Sequence, residues 1–113
     1  METQISAVRR ALDETEAEYS QMPLVVRLMV RRGFVKRTGR DFAAWRKLLD
    51  DARRGVYATA LPAALGSLAE HYRGAPARAR RGMGATTEQL AVVEERSKSR
   101  AEAAEALRAA LAS

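Results

Sequence analysis

The sequence contains no cysteine, one histidine, one tryptophan and three prolines among 113 residues. Without cysteine there is no disulfide framework, no thiolate metal site and no thiol nucleophile. With a single histidine and no Glu-x-x-His spacing, no metal ligand set can be assembled beyond a bare carboxylate cluster. Long apolar runs are missing as well. The longest uncharged stretch, Gly55 to Ala69, spans fifteen residues and is interrupted by Pro62 and Gly66. A membrane span needs about 20 apolar residues, so none is expected. The opening METQIS is acidic and lacks an apolar core, so no signal peptide is expected and the chain reads as cytoplasmic. The length allows one small domain.

What the chain has in excess is alanine (23 residues) and arginine (17 of the 20 basic residues), with a formal charge of +6. Arginine suits oxyanions because its planar fork grips them bidentately, although a coding bias would also enrich it. Position is therefore more informative than abundance. Residues 1–26 carry a net charge of −3, residues 27–54 +7, residues 55–86 +3 and residues 87–113 −1. The positive charge is concentrated in the middle of the chain.

Apolar spacing predicts an all-α fold: a small bundle of about four helices plus a long C-terminal helix. Ile5, Val8, Leu12 and Tyr19 share one face of a first helix, with Thr3 as its expected cap. Pro23 opens a second segment, Leu24 to Thr38, whose apolar residues fit either a helix or a hairpin turning at Gly33. A lone hairpin is marginal, so helix is preferred. Asp41 caps a third helix bearing Phe42, Trp45, Leu48, Leu49 and Ala52, and Gly55 ends it in left-handed backbone. Pro62 lies in the first turn of a fourth helix carrying Leu65, Leu68, Ala69 and Tyr72. These make a bundle domain over residues 1–73. Residues 74–86, rich in Gly, Pro and Arg, read as a basic linker. Residues 87–113 form an amphipathic helix, started by Thr86 or Thr87 and displaying a Glu94–Lys98–Glu102 ladder.

No catalytic site is legible. His71 stands between Glu70 and Tyr72 near a helix end, where a surface imidazolium is favoured by the helix dipole. The adjacent pairs Asp50–Asp51 and Glu94–Glu95 point about 100° apart on a helix and cannot converge on one atom. Asp50 and Asp51 are instead spaced for surface ion pairs with Arg46, Lys47 and Arg54. The run RRGMG lacks the strand and the Lys-Ser/Thr of a phosphate loop. The chain is thus expected to be non-enzymatic, with no metal and no cofactor.

Binding is the alternative. Between Pro23 and Arg40 lie Arg27, Arg31, Arg32, Lys36, Arg37 and Arg40, with no acid among them. These six are the candidate nucleic-acid contacts, gaining affinity from counterion release. Phe34 in their midst suits stacking on a base; the competing reading makes Phe34 core and pairs the six with the acidic first helix. Arg78, Arg80 and Arg81 form a secondary basic arm of the kind that enters a narrow minor groove. A helix-turn-helix is disfavoured, because residues 56–70 offer only Thr59 and Ser67 to read bases. Peripheral membrane binding by Leu24 to Arg37 ranks last, since the segment has no Trp and no wide polar face. The expected partner is nucleic acid or another acidic surface. The second reading is a helical interaction subunit. Its partner face is Leu90, Val93, Ala101, Ala104, Leu107 and Leu111, a surface too small to hold the last helix firmly alone, implying a homo-oligomer or a protein partner.

Overall fold

The computed structural model describes residues 1–82 and 85–113. It is all-α, with no strand among the described residues. Six helices follow in order: α1 (Glu2–Ser20), α2 (Leu24–Thr38), α3 (Phe42–Arg53), α4 (Leu61–Arg73), α5 (Ala75–Arg81) and α6 (Thr87–Ala112). The bundle measures 43 × 25 × 19 Å.

The helix ends follow local chemistry. Leu24 to Thr38 is helical, and Gly39 closes it at φ 84°, its N–H donating to the Val35 carbonyl at 2.7 Å. Only glycine takes that left-handed conformation without strain. Asp41 then accepts the Ala44 N–H at 2.8 Å and starts α3, and Gly55 (φ 85°) turns the chain after it. Pro62 occupies the first turn of α4, where a missing N–H costs nothing. At α6, Thr86 accepts the Gln89 N–H (3.1 Å) while the Gln89 side chain accepts the Thr86 N–H (2.9 Å), a reciprocal cap. The start of α1 differs from expectation: helix begins at Glu2, so Thr3 lies inside it.

The core is built around aromatic residues. Trp45 is fully buried, and its indole N–H donates to Thr38 Oγ1 at 3.1 Å. Phe34 stacks on Phe42 with ring centroids 4.3 Å apart. Tyr72 meets the Thr15 hydroxyl at 2.8 Å, and Thr15 Oγ1 in turn donates to the Ala11 carbonyl. Each buried hydroxyl or N–H in this set thereby finds a partner, which buried polar groups require.

Two expectations about the C-terminal third are corrected. Residues 75–81 of the segment read as a linker form α5, which packs against α6; residues 83 and 84 of that segment lie outside the described residues. The last helix is not loosely held. It packs along α4 and across α1, burying Ser97, Ala101, Ala104 and Leu107 in the chain's own core. The physical reason is burial against α4: Ala101, Ala104 and Leu107 share one core with Ala64, Leu65, Leu68 and Ala69 of α4, and the Arg108 guanidinium lies over Gly66. The partner that the narrow alanine face calls for is α4. Leu90, Val93 and Leu111 are half-buried, Leu111 against the same core.

Candidate functional site

The six basic residues of the central segment lie on and just beyond α2, and their surroundings separate them. Arg31 is within ion-pair distance of a carboxylate, Glu16, at 3.5 Å. Arg27, Arg32, Lys36, Arg37 and Arg40 have no carboxylate partner among the described residues; Arg40 lies over the Trp45 ring, 5.8 Å from its centroid. Most acids of α1 are drawn to α3 and α6, Glu16 while also meeting Arg31 of α2. Asp13 accepts from Arg46 at 2.9 Å, Glu16 pairs with the same guanidinium, and Glu18 takes Arg100 at 2.5 Å and Arg96 at 3.4 Å. Arg46 therefore bridges α3 to α1 and does not form the expected pair with Asp50, which accepts from Arg9 at 2.6 Å. Lys47–Asp51 (3.6 Å) is the surface pair that the spacing indicates, whereas Arg54 pairs with Asp51 and not with the expected Asp50. Glu94 pairs with Arg80.

Phe34 is excluded from ligand stacking. It is completely buried and stacked on Phe42. The helix it sits on is otherwise poorly covered, with only Phe34 and Thr38 buried. Its first two turns expose Leu24 (60%), Val25 (68%), Leu28 (58%) and Met29 (67%). An apolar cluster this open is more informative than isolated surface leucines. Periodicity could not reveal it, because an apolar run on a helix is read as buried by default. The outward side of α2 is thus apolar in its first half and basic in its second, at Arg32 and Lys36.

The secondary arm is also rearranged. Arg78, Arg80 and Arg81 lie on α5, with Arg80 paired to Glu94 and Arg78 turned inward to His71. His71 contradicts its expected surface position, being only 2% exposed. It packs edge-on against Phe34 and beside Tyr72. Arg37 Nε donates to its Nδ1 at 3.1 Å, and an Arg78 Nη2 donates to its backbone carbonyl at 2.6 Å while lying 3.4 Å from the same Nδ1. Burial, then the charges of Arg78 and Arg37, push the imidazole from its ordinary 6.5 down to about 3, so it is neutral and accepts at Nδ1. Its position three residues after Leu68 and seven after Ala64 was the available signal that it shares the apolar face.

No group of three or more His, Cys, Asp or Glu placed to hold a metal occurs among the described residues. No described helix is long and apolar enough to cross a membrane. No protein-family model, curated protein or solved structure matches the chain.

Proposed function

We propose that the protein is a non-enzymatic binding module whose α2 and following Arg40 hold nucleic acid through phosphate contacts. One observation carries this reading: Arg27, Arg32, Lys36 and Arg40 have no carboxylate partner among the described residues, while Asp13, Glu16 and Glu18 of α1 are engaged by Arg46 of α3 and by Arg96 and Arg100 of α6. Backbone phosphates supply the missing charge, and the released counterions supply the affinity. If each of the four meets one phosphate, affinity falls about 150-fold for a short duplex, and about 50-fold for a single strand, between about 50 and 200 mM salt. Arg32→Glu with Lys36→Glu abolishes binding, whereas Lys47→Glu with Arg54→Glu has a smaller effect because Asp51 already offsets those charges. Equal loss from both pairs would leave net charge as the sole determinant and sink the proposal.

The exposed turn of Leu24, Val25, Leu28 and Met29 favours a second reading, an interaction subunit whose partner is apolar and acidic. A second copy presenting the same face is disfavoured, because the Arg32 and Lys36 charges of each copy would be brought together. Leu24→Ser with Leu28→Ser separates the two readings. Nucleic-acid binding retained by this variant supports the first; absence of nucleic-acid binding by the wild type, together with a protein complex that the variant loses, supports the second.

A further inference from the structure

A cleft of about 400 Å³ is lined by residues of α1, α2, α4, α5 and α6. Its polar lining is strongly basic: Arg37, Arg78, Arg96 and Arg100, against one carboxylate, Glu18, already shared by Arg96 and Arg100. Met22, Met29, Val30 and Val93 line it as well and form an apolar wall. Two of the guanidiniums are seated in matching fashion. Each folds back over a glycine four residues earlier, Arg37 over Gly33 and Arg78 over Gly74. A Cβ on Gly33 would lie 2.8 Å from an Arg37 nitrogen, and one on Gly74 would lie 2.7 Å from an Arg78 nitrogen. Gly33 stands in the middle of α2, where glycine weakens a helix, and the seated guanidinium gives that position a purpose.

Both forks then converge on one neutral acceptor, the Nδ1 of His71, from two different helices. A neutral imidazole orients the guanidiniums without discharging them. Neither Arg37 nor Arg78 has a carboxylate partner among the described residues, so two positive charges face each other at the floor of the cleft. Tyr19 lines the same space; burial raises the pKa of its hydroxyl, an effect that the nearby charges of Arg78 and Arg37 partly offset. A bridging dianion relieves the repulsion and uses the N–H groups that His71 leaves free, a geometry that guanidinium forks match bidentately.

We infer that this cleft binds a small organic phosphate, its phosphoryl oxygens held between Arg37 and Arg78 and its apolar body lying against Met22, Met29, Val30 and Val93. The site is separate from Arg27, Arg32, Lys36 and Arg40, to which the polyanion is assigned, although Met29 also belongs to the exposed apolar turn of α2.

Because His71 is the sole histidine, its imidazole resonances report on the cleft without assignment of other residues. The experiment titrates the full chain at low salt with phenyl phosphate, inorganic phosphate and benzyl alcohol, following those resonances by NMR. Phenyl phosphate is expected to give a saturable shift, with inorganic phosphate binding about tenfold more weakly and benzyl alcohol not at all. Arg78→Gln is expected to weaken phenyl phosphate at least about tenfold, with Arg78→Lys intermediate because it keeps the charge and loses the fork. Gly74→Ala is expected to weaken it too, by displacing the Arg78 guanidinium without changing any charge. Absence of a saturable shift in the wild type, or unaltered binding in a folded Arg78→Gln protein, overturns the inference. Equal affinity for phenyl phosphate and inorganic phosphate overturns the apolar half of it. If Arg78→Gln fails to fold, the Gly74→Ala titration decides. Nucleic-acid binding provides the separation from the α2 reading: Arg78→Gln retains it, whereas Arg32→Glu with Lys36→Glu loses it and leaves phenyl phosphate binding intact.

Discussion

His71 shows how one side chain couples burial, charge and pH. A neutral imidazole under two guanidiniums resists protonation, with its value pushed down from 6.5 to about 3. Between those limits the unfolded chain takes up a proton that the folded chain refuses, so stability is full above about pH 6.5 and falls as pH drops toward 3. The slope is at most about 1.4 kcal/mol per pH unit. Thermal unfolding followed from pH 7 to 5 should show this loss, and His71→Gln, which can still accept from Arg37, should flatten it. Carboxylates titrate lower, so that window isolates the histidine. Identical slopes in both proteins would mean that the imidazole is not held neutral. The residue was misjudged from sequence because a polar side chain near a helix end is ordinarily solvated. What reverses the expectation is burial on the apolar face of α4, which the spacing from Ala64 and Leu68 does signal; the two arginines that reach it, Arg37 over Gly33 and Arg78 over Gly74, are a tertiary arrangement that no single segment displays.

The helices differ in how far sequence pattern reveals their surroundings. Caps and breakers are largely local, so Asp41, Gly55 and Pro62 are legible without any packing, and the start of α6 is narrowed to Thr86 or Thr87; Thr3, which lies inside α1, is the exception. Burial is not local. Leu24 to Val30 and Leu90 to Leu111 were read the wrong way round: the strongly apolar segment lies largely in the open, and the alanine-rich one is packed into the core. Side-chain size misleads here, because small faces permit close helix approach while large ones merely offer area. A stability comparison makes the point measurable. Leu24→Gln and Leu28→Gln on α2 should each change unfolding free energy by no more than about 0.5 kcal/mol. Leu107→Ala on α6 should cost about 2–5 kcal/mol, since that side chain is fully buried. Comparable losses at all three positions would show that the first turns of α2 are covered in solution.

At the scale of the whole molecule, α6 belongs to the domain. It packs on α4, α1 and α5, and it carries the arginines that hold Glu18. Removing residues 87–113 exposes Leu65, Leu68 and Tyr72 of α4 and should abolish cooperative unfolding, read by circular dichroism during heating. Ala104→Glu should destabilise the intact chain strongly, because it places an unpaired charge in a closed core. A truncated chain that still melts in one sharp transition would return α6 to the role of an appendage. The overall class, all-α with a late long helix, was readable from periodicity alone. The closure of that helix onto the bundle was not, because its buried face is made of Ser97, Ala101, Ala104 and Leu107, with one large apolar side chain among them.

The link between Arg100 and Glu18 joins residues 82 positions apart, and the α1–α6 contact around it spans nearly the whole chain. Small helical proteins usually fold fast because their contacts are short in sequence. Here the first and last long helices must find each other across a large loop before the core can close, and the entropy of that closure is lost before any contact compensates it. Refolding should accordingly be slower than for an up-and-down bundle of equal length, with the α1–α6 seam among the last parts of the molecule to form.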